Sequence, residues 1–361
     1  MAHKRRLSVF IASMFLSSTL LSACAVSASP DPVADVAPAQ EQADFATCVV
    51  TLQQKAKAAG ISQQIIDTTV ANLKYVPRVI ELDNQQPEFT TTFGDYFDKR
   101  VTAWRVEQGK KMLAEHKSLL AKLTKEYGVP GQYIVAFWGL ETNFGSYKGS
   151  MPVLDSLATL ACDPRRSDYF TGELLQALTL KQQYNFADSK MVGSWAGAMG
   201  HTQFMPTNYR KYAVDGDGVA DLWNSTDDAL TSAANFLQHL GWKADERWGR
   251  EVLIPSDYSF AYLGGKHPLP LVYAISVGHL ADRINGGAVL TRAVPKQPRL
   301  SRETVKQIQQ KLNDAGFDVG KPDGILGRNS VLGLQAFQHE KGLIADGFPD
   351  VETFTALGIK L

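Results

Sequence analysis

Net charge is what this sequence lacks first. Its 361 residues carry 37 Lys and Arg against 37 Asp and Glu. A chain so balanced has no general pull on polyphosphate, and no basic stripe interleaved with aromatics runs along it. A nucleic-acid surface is therefore not indicated. Long hydrophobic runs are nearly absent as well. The one that stands out, "LSVFIASMFLSSTLLSA", follows a basic "MAHKRR" and ends too soon for a membrane span. Residues 1–23 read instead as a secretory signal. Cysteine is limited to three residues, too few for a disulfide scaffold. Strand-like alternation is scarce, so the body is expected to be mostly α.

The signal ends in Leu21-Ser22-Ala23-Cys24, which resembles a lipobox. In that reading Cys24 becomes the lipidated first residue, and Ala25 in place of Asp points to the outer membrane of a periplasmic protein. The alternative is plain cleavage after Ala28. Without residues 1–23 the count is 34 basic to 37 acidic residues, a net of −3. Two cysteines then remain, Cys48 and Cys162. An oxidising compartment allows either a disulfide or two buried thiols, and spacing does not choose between them.

Residues 24–41 are small, proline-bearing and without period, as in a flexible tether. Helical patterning follows. "FATCVVTLQQKAKAAG" stops on Gly60, "SQQIIDTTVANLKYV" opens on a Ser62 cap, and the run from Tyr96 closes in Gly128-Val129-Pro130. Further helices are expected at 132–143, 170–184, 226–240 and 270–284. The domain reading is 42–291 for the body, 292–300 for a proline-bearing linker and 301–361 for a small last unit. That last unit is a repeat. Val305, Ile308, Gln309, Gly316 and Phe317 recur 26 residues later as Val331, Leu334, Gln335, Gly342 and Leu343, and each copy has an Asp-Gly turn. Two copies are too few for a solenoid. The pattern resembles a three-helix peptidoglycan-binding domain.

Chemistry concentrates in "VAFWGLETNFGSYKG", where Glu141 is the sole acid in an apolar, aromatic run. On a helix over 132–143, Phe137 and Trp138 share its face, and Phe144 joins them if the helix runs on to a stop at Gly145. Pressed against rings, a carboxyl loses hydration and keeps its proton toward neutral pH, as a general acid must. The alternative is a solvent-facing Glu at a helix end. A second segment, "GSWAGAMGHTQFMPTNYRKYAV", sets three glycines and two alanines in eight residues. They allow close approach by a ligand or by another stretch of chain. Gln203, Phe204, Met205 and Tyr209 follow, an amide, aromatic and thioether set suited to a sugar.

With "SVGHLADRI", these segments resemble the lytic murein transglycosylase B type, in the family's order and over most of 42–291. The resemblance implies a lysozyme-like α-helical core and cleavage of the β-1,4 bond between N-acetylmuramic acid and N-acetylglucosamine in peptidoglycan. The product would carry a 1,6-anhydro ring. It implies Glu141 as the single acid/base, and Ser194, Gln203, Phe204 and Met205 as groove residues with Tyr96. Arg165 and Arg166 match a basic pair near the glycan or its stem peptide, with ordinary salt bridging as the other reading. The expected partners are peptidoglycan strands and a membrane through the lipid anchor, for a protein acting as a monomer and without a cofactor.

Two departures from the family accompany the match. The acidic loop "VDGDGVADLW" fails as a twelve-residue calcium loop in either register, so no metal is expected and a capped turn is the better reading. The Tyr-Asn motif that helps line the family's groove is absent before "VGHLADR", where Tyr273 is the available partial substitute. A non-catalytic wall-binding protein and a water-using muramidase remain as rival functions.

Overall fold

A computed structural model describes residues 39–85, 92–215, 219–244, 246–249, 251, 271–294 and 300–360. The signal and Cys24 lie outside the described residues, as do most of the tether, part of the linker, the centre of the acidic loop and most of the segment where the Tyr-Asn motif is missing. The described chain is mostly α, as expected. None of its helices is long and apolar enough to cross a membrane.

Helix α1 (Ala39–Ala58) begins inside the stretch read as tether, six residues ahead of Phe45. Gly60, with positive φ, follows its end, and Ser62 accepts the Ile65 N–H to start α2 (Gln63–Thr68). After α3 (Pro77–Gln85), the run from Tyr96 to Tyr127 is three helices. These are α4 (Phe93–Arg100), α5 (Ala103–Glu115) and α6 (Lys117–Tyr127). Periodicity carries across the breaks, but a cap sets the first of them. Thr102 accepts the Arg105 N–H at 3.1 Å and so begins α5 anew. Gly128, left-handed at φ 72°, ends α6.

Helix α7 (Gly131–Thr142) runs through the core, with Tyr133 to Leu140 all buried. A helix apolar all round needs cover on every side, and α5, α6, α11 (Thr226–His239) and α12 (Leu271–Ile284) pack against it. Helices α8 (Val153–Ala161) and α9 (Ser167–Tyr184) form a second packed pair, joined by α10 (Pro206–Tyr212). Nearly every residue of α8 is buried. Two short strands, β1 (Met151–Pro152) and β2 (Val192–Gly193), pair antiparallel with Met151 opposite Gly193. Cys48 and Cys162 are bonded, S–S 2.04 Å, tying α1 to the end of α8.

The last residues form α13 (Arg302–Asp314), α14 (Arg328–Glu340) and α15 (Val351–Ala356) around their own core of Ile308, Leu312, Leu334, Phe337 and Phe354. The repeat is present, but its helical register is corrected. Buried Gln309 donates to Asp323, the Ile325 carbonyl and Ser330, and accepts the Gly324 N–H. Buried Gln338 repeats each contact with Asp346, the Phe348 carbonyl, Thr353 and the Gly347 N–H. Gln338 is the counterpart of Gln309, 29 residues on, whereas the half-buried Gln335 matched it only in letter.

Candidate active site

Glu141 sits in the last turn of α7, half-buried. The helix does not run on to Gly145. It ends at Thr142, and Asn143 and Phe144 turn left-handed at φ 49° and 60°. Phe144 folds back with its N–H on the Trp138 carbonyl and its ring edge-on to Trp138 at 5.8 Å. That return needs Gly139, where a Cβ would lie 2.7 Å from the Phe144 ring. Asn is one of the few residues that accept the left-handed turn readily.

The aromatics expected around the carboxyl serve the core. Phe137 is buried and packs 6.2 Å from Phe236, and Trp138 donates its indole N–H to His201 at 3.0 Å. The recorded partner of Glu141 is Tyr273 of α12, whose hydroxyl donates to Oε1. Arg100, at the end of α4, supplies positive charge, and its guanidinium lies 5.2 Å from the centre of the Tyr96 ring, one helical turn earlier. Burial dominates the balance. It pushes the Glu141 carboxyl up to about 7 against the lowering pull of the Tyr273 hydrogen bond and the Arg100 charge. Burial and the facing carboxylate push the Tyr273 phenol well above its usual range, so it stays a donor.

The glycine-bearing segment wraps beneath this site as a bridged turn, with Met199 paired to both Gly193 and Phe204. Its glycines admit neighbouring chain: a Cβ on Gly193 would lie 2.1 Å from the Ala198 carbonyl. The expected groove residues divide. Ser194 is half-buried, and its hydroxyl accepts the Ala198 N–H at 3.0 Å. Gln203, left-handed at φ 49°, donates its amide to the Lys148 and Gly200 carbonyls. Met205 is half-buried beside it.

Phe204 and Tyr209 correct the reading of an exposed cluster, for they are 2% and 1% exposed. Phe204 packs on Phe236 at 5.1 Å, and the Tyr209 hydroxyl donates to the Ala220 carbonyl. Apolar bulk drew both into the core, with the phenol satisfied there. Arg165 and Arg166 both pair with the buried Asp83 of α3, and Arg165 also with Asp163. Asp221 spends its carboxylate on the Trp223 and Asn224 N–H groups and the Asn224 amide, the geometry of a capped turn.

Sequence reasoning missed three residues around the end of α7. Arg100 stands four residues after Tyr96, a helical spacing that was legible. Arg105, buried on α5, and His201, buried under Trp138, carried no such signal. His201 accepts from Trp138 at Nδ1, which leaves its proton on Nε2. Burial and the nearby Lys148 ammonium drive its pKa down to about 4, so it is neutral and structural.

The transglycosylase SLT domain model matches residues 44–280, and a peptidoglycan-binding domain model matches residues 301–357. The membrane-bound lytic murein transglycosylase B of Escherichia coli (strain K12) is 36% identical over 200 residues, 52% of this chain and 55% of that protein. The chain thus spans about half the length of the curated relative it matches. Crystal structures of SltB3 from Pseudomonas aeruginosa are similar over 87% of this chain and 99% of theirs, with a TM-score of 0.75. One, 35% identical, holds NAG-NAM-pentapeptide; the other, 34% identical, holds NAG-anhNAM-pentapeptide.

Proposed function

The chain belongs to the transglycosylase SLT domain family, and on that premise we propose that it is a peptidoglycan lytic transglycosylase with Glu141 as its only acid/base. One observation carries the reading: a carboxyl raised to about 7 by burial yet held by a phenol donor. Such a group is divided between acid and base near neutrality, which a single residue performing both steps requires. Tyr273 engages Oε1, and Oε2 carries the transferable proton. Glu141 gives that proton to the glycosidic oxygen as the bond to the muramyl anomeric carbon breaks. The carboxylate then takes the proton of the muramyl C6 hydroxyl, whose oxygen closes onto the anomeric carbon. Glu141 ends reprotonated and no water is consumed, unlike in the two-carboxylate glycosidases.

Tyr96, Ser194, Gln203 and Met205 are assigned to the glycan groove. Arg165 and Arg166 keep 43% of their side-chain surface exposed and can still meet a stem-peptide carboxylate. The last unit is assigned to wall binding. Together with a lipid on Cys24 it holds the enzyme near its polymer, in the periplasm at the outer membrane, as a monomer. The test is digestion of purified sacculi. Wild-type protein releases soluble muropeptides, and Glu141→Gln releases none while still sedimenting with sacculi. Binding without release by the wild type supports the non-catalytic rival. For the anchor, Cys24→Ala leaves the membrane fraction, and retention there argues against lipidation.

A further inference from the structure

Arg105 is a buried cation that the reaction does not use. It is 7% exposed and sits on the first turn of α5. Its guanidinium faces two ways. Nη1 donates to the carbonyls of Lys99, at 3.0 Å, and Arg100, the last two residues of α4. Nε donates to Asn143 Oδ1 at 3.1 Å, and Nη2 donates to the same oxygen. Asn143 is the left-handed residue two positions after Glu141. One side chain thus joins the end of the helix that carries Arg100 and Tyr96 to the turn that ends the helix of Glu141. The acceptors named are all neutral, so the pairing is not a buried ion pair. Its cation instead meets the partial negative charge of a helix C-terminus. Burying a guanidinium beside another, that of Arg100, is costly: burial and that charge lower the Arg105 pKa. Such an expense, spent between two helix ends, points to a role.

We propose that Arg105 is a positioning residue: it clamps the α4 terminus to the Asn143 turn and so fixes Arg100 beside the Glu141 carboxyl. The clamp rests on the reading of Glu141 as acid/base and extends it to the groups that set its environment. The charged and titratable groups acting on Glu141 are Tyr273 from α12 and Arg100 from α4, while Tyr96 acts on Tyr273 and Arg105. Released from the clamp, Arg100 no longer draws the carboxyl down, and the Glu141 pKa rises. A lysine keeps the charge but cannot span acceptors on both sides with a planar fork.

The test uses the full chain with Arg105→Lys, Arg100→Gln and the double variant. Arg105→Lys lowers kcat on sacculi by about tenfold or more, the scale of a small misplacement of catalytic groups. It moves the alkaline limb of the pH–rate profile upward, and Arg100→Gln moves it the same way. The double variant shifts it no further, because the clamp acts through Arg100. A carbon-13 titration of the Glu141 carboxyl in wild type and Arg105→Lys reads the same shift without turnover, so it tests the clamp even if sacculi are not digested. A lower Tm for Arg105→Lys with an unmoved carboxyl titration and pH profile overturns the proposal, as do additive shifts in the double variant. If Arg105→Lys does not fold, an unshifted profile in Arg100→Gln overturns it alone.

Discussion

At the residue scale the account turns on one carboxyl and the phenol that holds it. Glu141 takes its proton at about pH 7 in the fold and near its ordinary value of 4.5 when unfolded. The folded state therefore binds more protons than the unfolded state between those values, and Glu141 lowers stability progressively as pH rises through that window. Glu141→Gln removes the burden. It is expected to raise Tm at pH 8, by a free energy of order 1–3 kcal/mol, and to change little at pH 4. Thermal unfolding of both proteins across pH checks this. His201 has the opposite slope. Its folded pKa is depressed, so stability falls as pH drops from the ordinary imidazole value of 6.5 toward about 4. Tyr273→Phe removes the hydrogen bond that favours the carboxylate. Its pH–rate profile should lose activity at a higher pH than wild type, with kcat reduced. An unmoved profile would remove Tyr273 from the site.

Buried and exposed aromatics could not be told apart in the sequence. "QFMPTNY" looks like a sugar-binding set by residue type, but of the four residues assigned to that set only Gln203 and Met205 stay near the surface. Phe204→Ala should therefore cost stability, roughly 3–5 kcal/mol, rather than substrate affinity alone. Wild-type Tm with weakened binding would restore the groove reading. Glu141 was legible because an isolated acid in an apolar helix is chemically costly. Tyr273, 132 residues away, was legible as a partial substitute for the absent Tyr-Asn motif, but not as the hydrogen-bond partner of Glu141.

At the scale of elements, the longer helices were readable whether or not they keep a wet face. The expected spans at 132–143, 226–240 and 270–284 nearly coincide with α7, α11 and α12. Helix α8 went unread because an apolar run that short does not tell helix from strand. The break between α4 and α5 depends on a single hydrogen bond, that of Thr102, which periodicity averages over. The repeat shows the same limit. Letter matches favoured Gln335, but the Asp-Gly turns are organised by Gln309 and Gln338. Gln338→Ala leaves the Gly347 N–H and the Phe348 carbonyl without the side chain that pairs them, and each such group costs about 1–3 kcal/mol. The last unit should lose most of its stability in that variant and little in Gln335→Ala, as read by hydrogen exchange in α14 and α15. The Cys48–Cys162 bond closes a loop with a sequence separation of 114. Its removal in a Cys48→Ser, Cys162→Ser variant should cost about 4–5 kcal/mol in the chain-entropy account. A variant with unchanged Tm would assign the bond no structural weight.

At the scale of the whole molecule, two hydrophobic cores serve two proposed tasks, one for cleavage and one for attachment. Deleting residues 301–361 should leave cleavage of short soluble glycan fragments intact and weaken activity on sacculi, since only the polymer gains from tethering. Equal losses on both substrates would mean that the last unit supports the active site itself. The order of the motifs along the chain was legible. Their assembly was not, because Glu141, Arg100 and Tyr273 meet through helices separated by long stretches of sequence. The claim that unites the scales is that Glu141 closes a ring without water. Digestion of sacculi in heavy-oxygen water, followed by mass analysis of the new muramyl ends, tests it most directly. The account predicts anhydromuropeptides that carry no heavy oxygen, and reducing ends labelled with it would contradict the account.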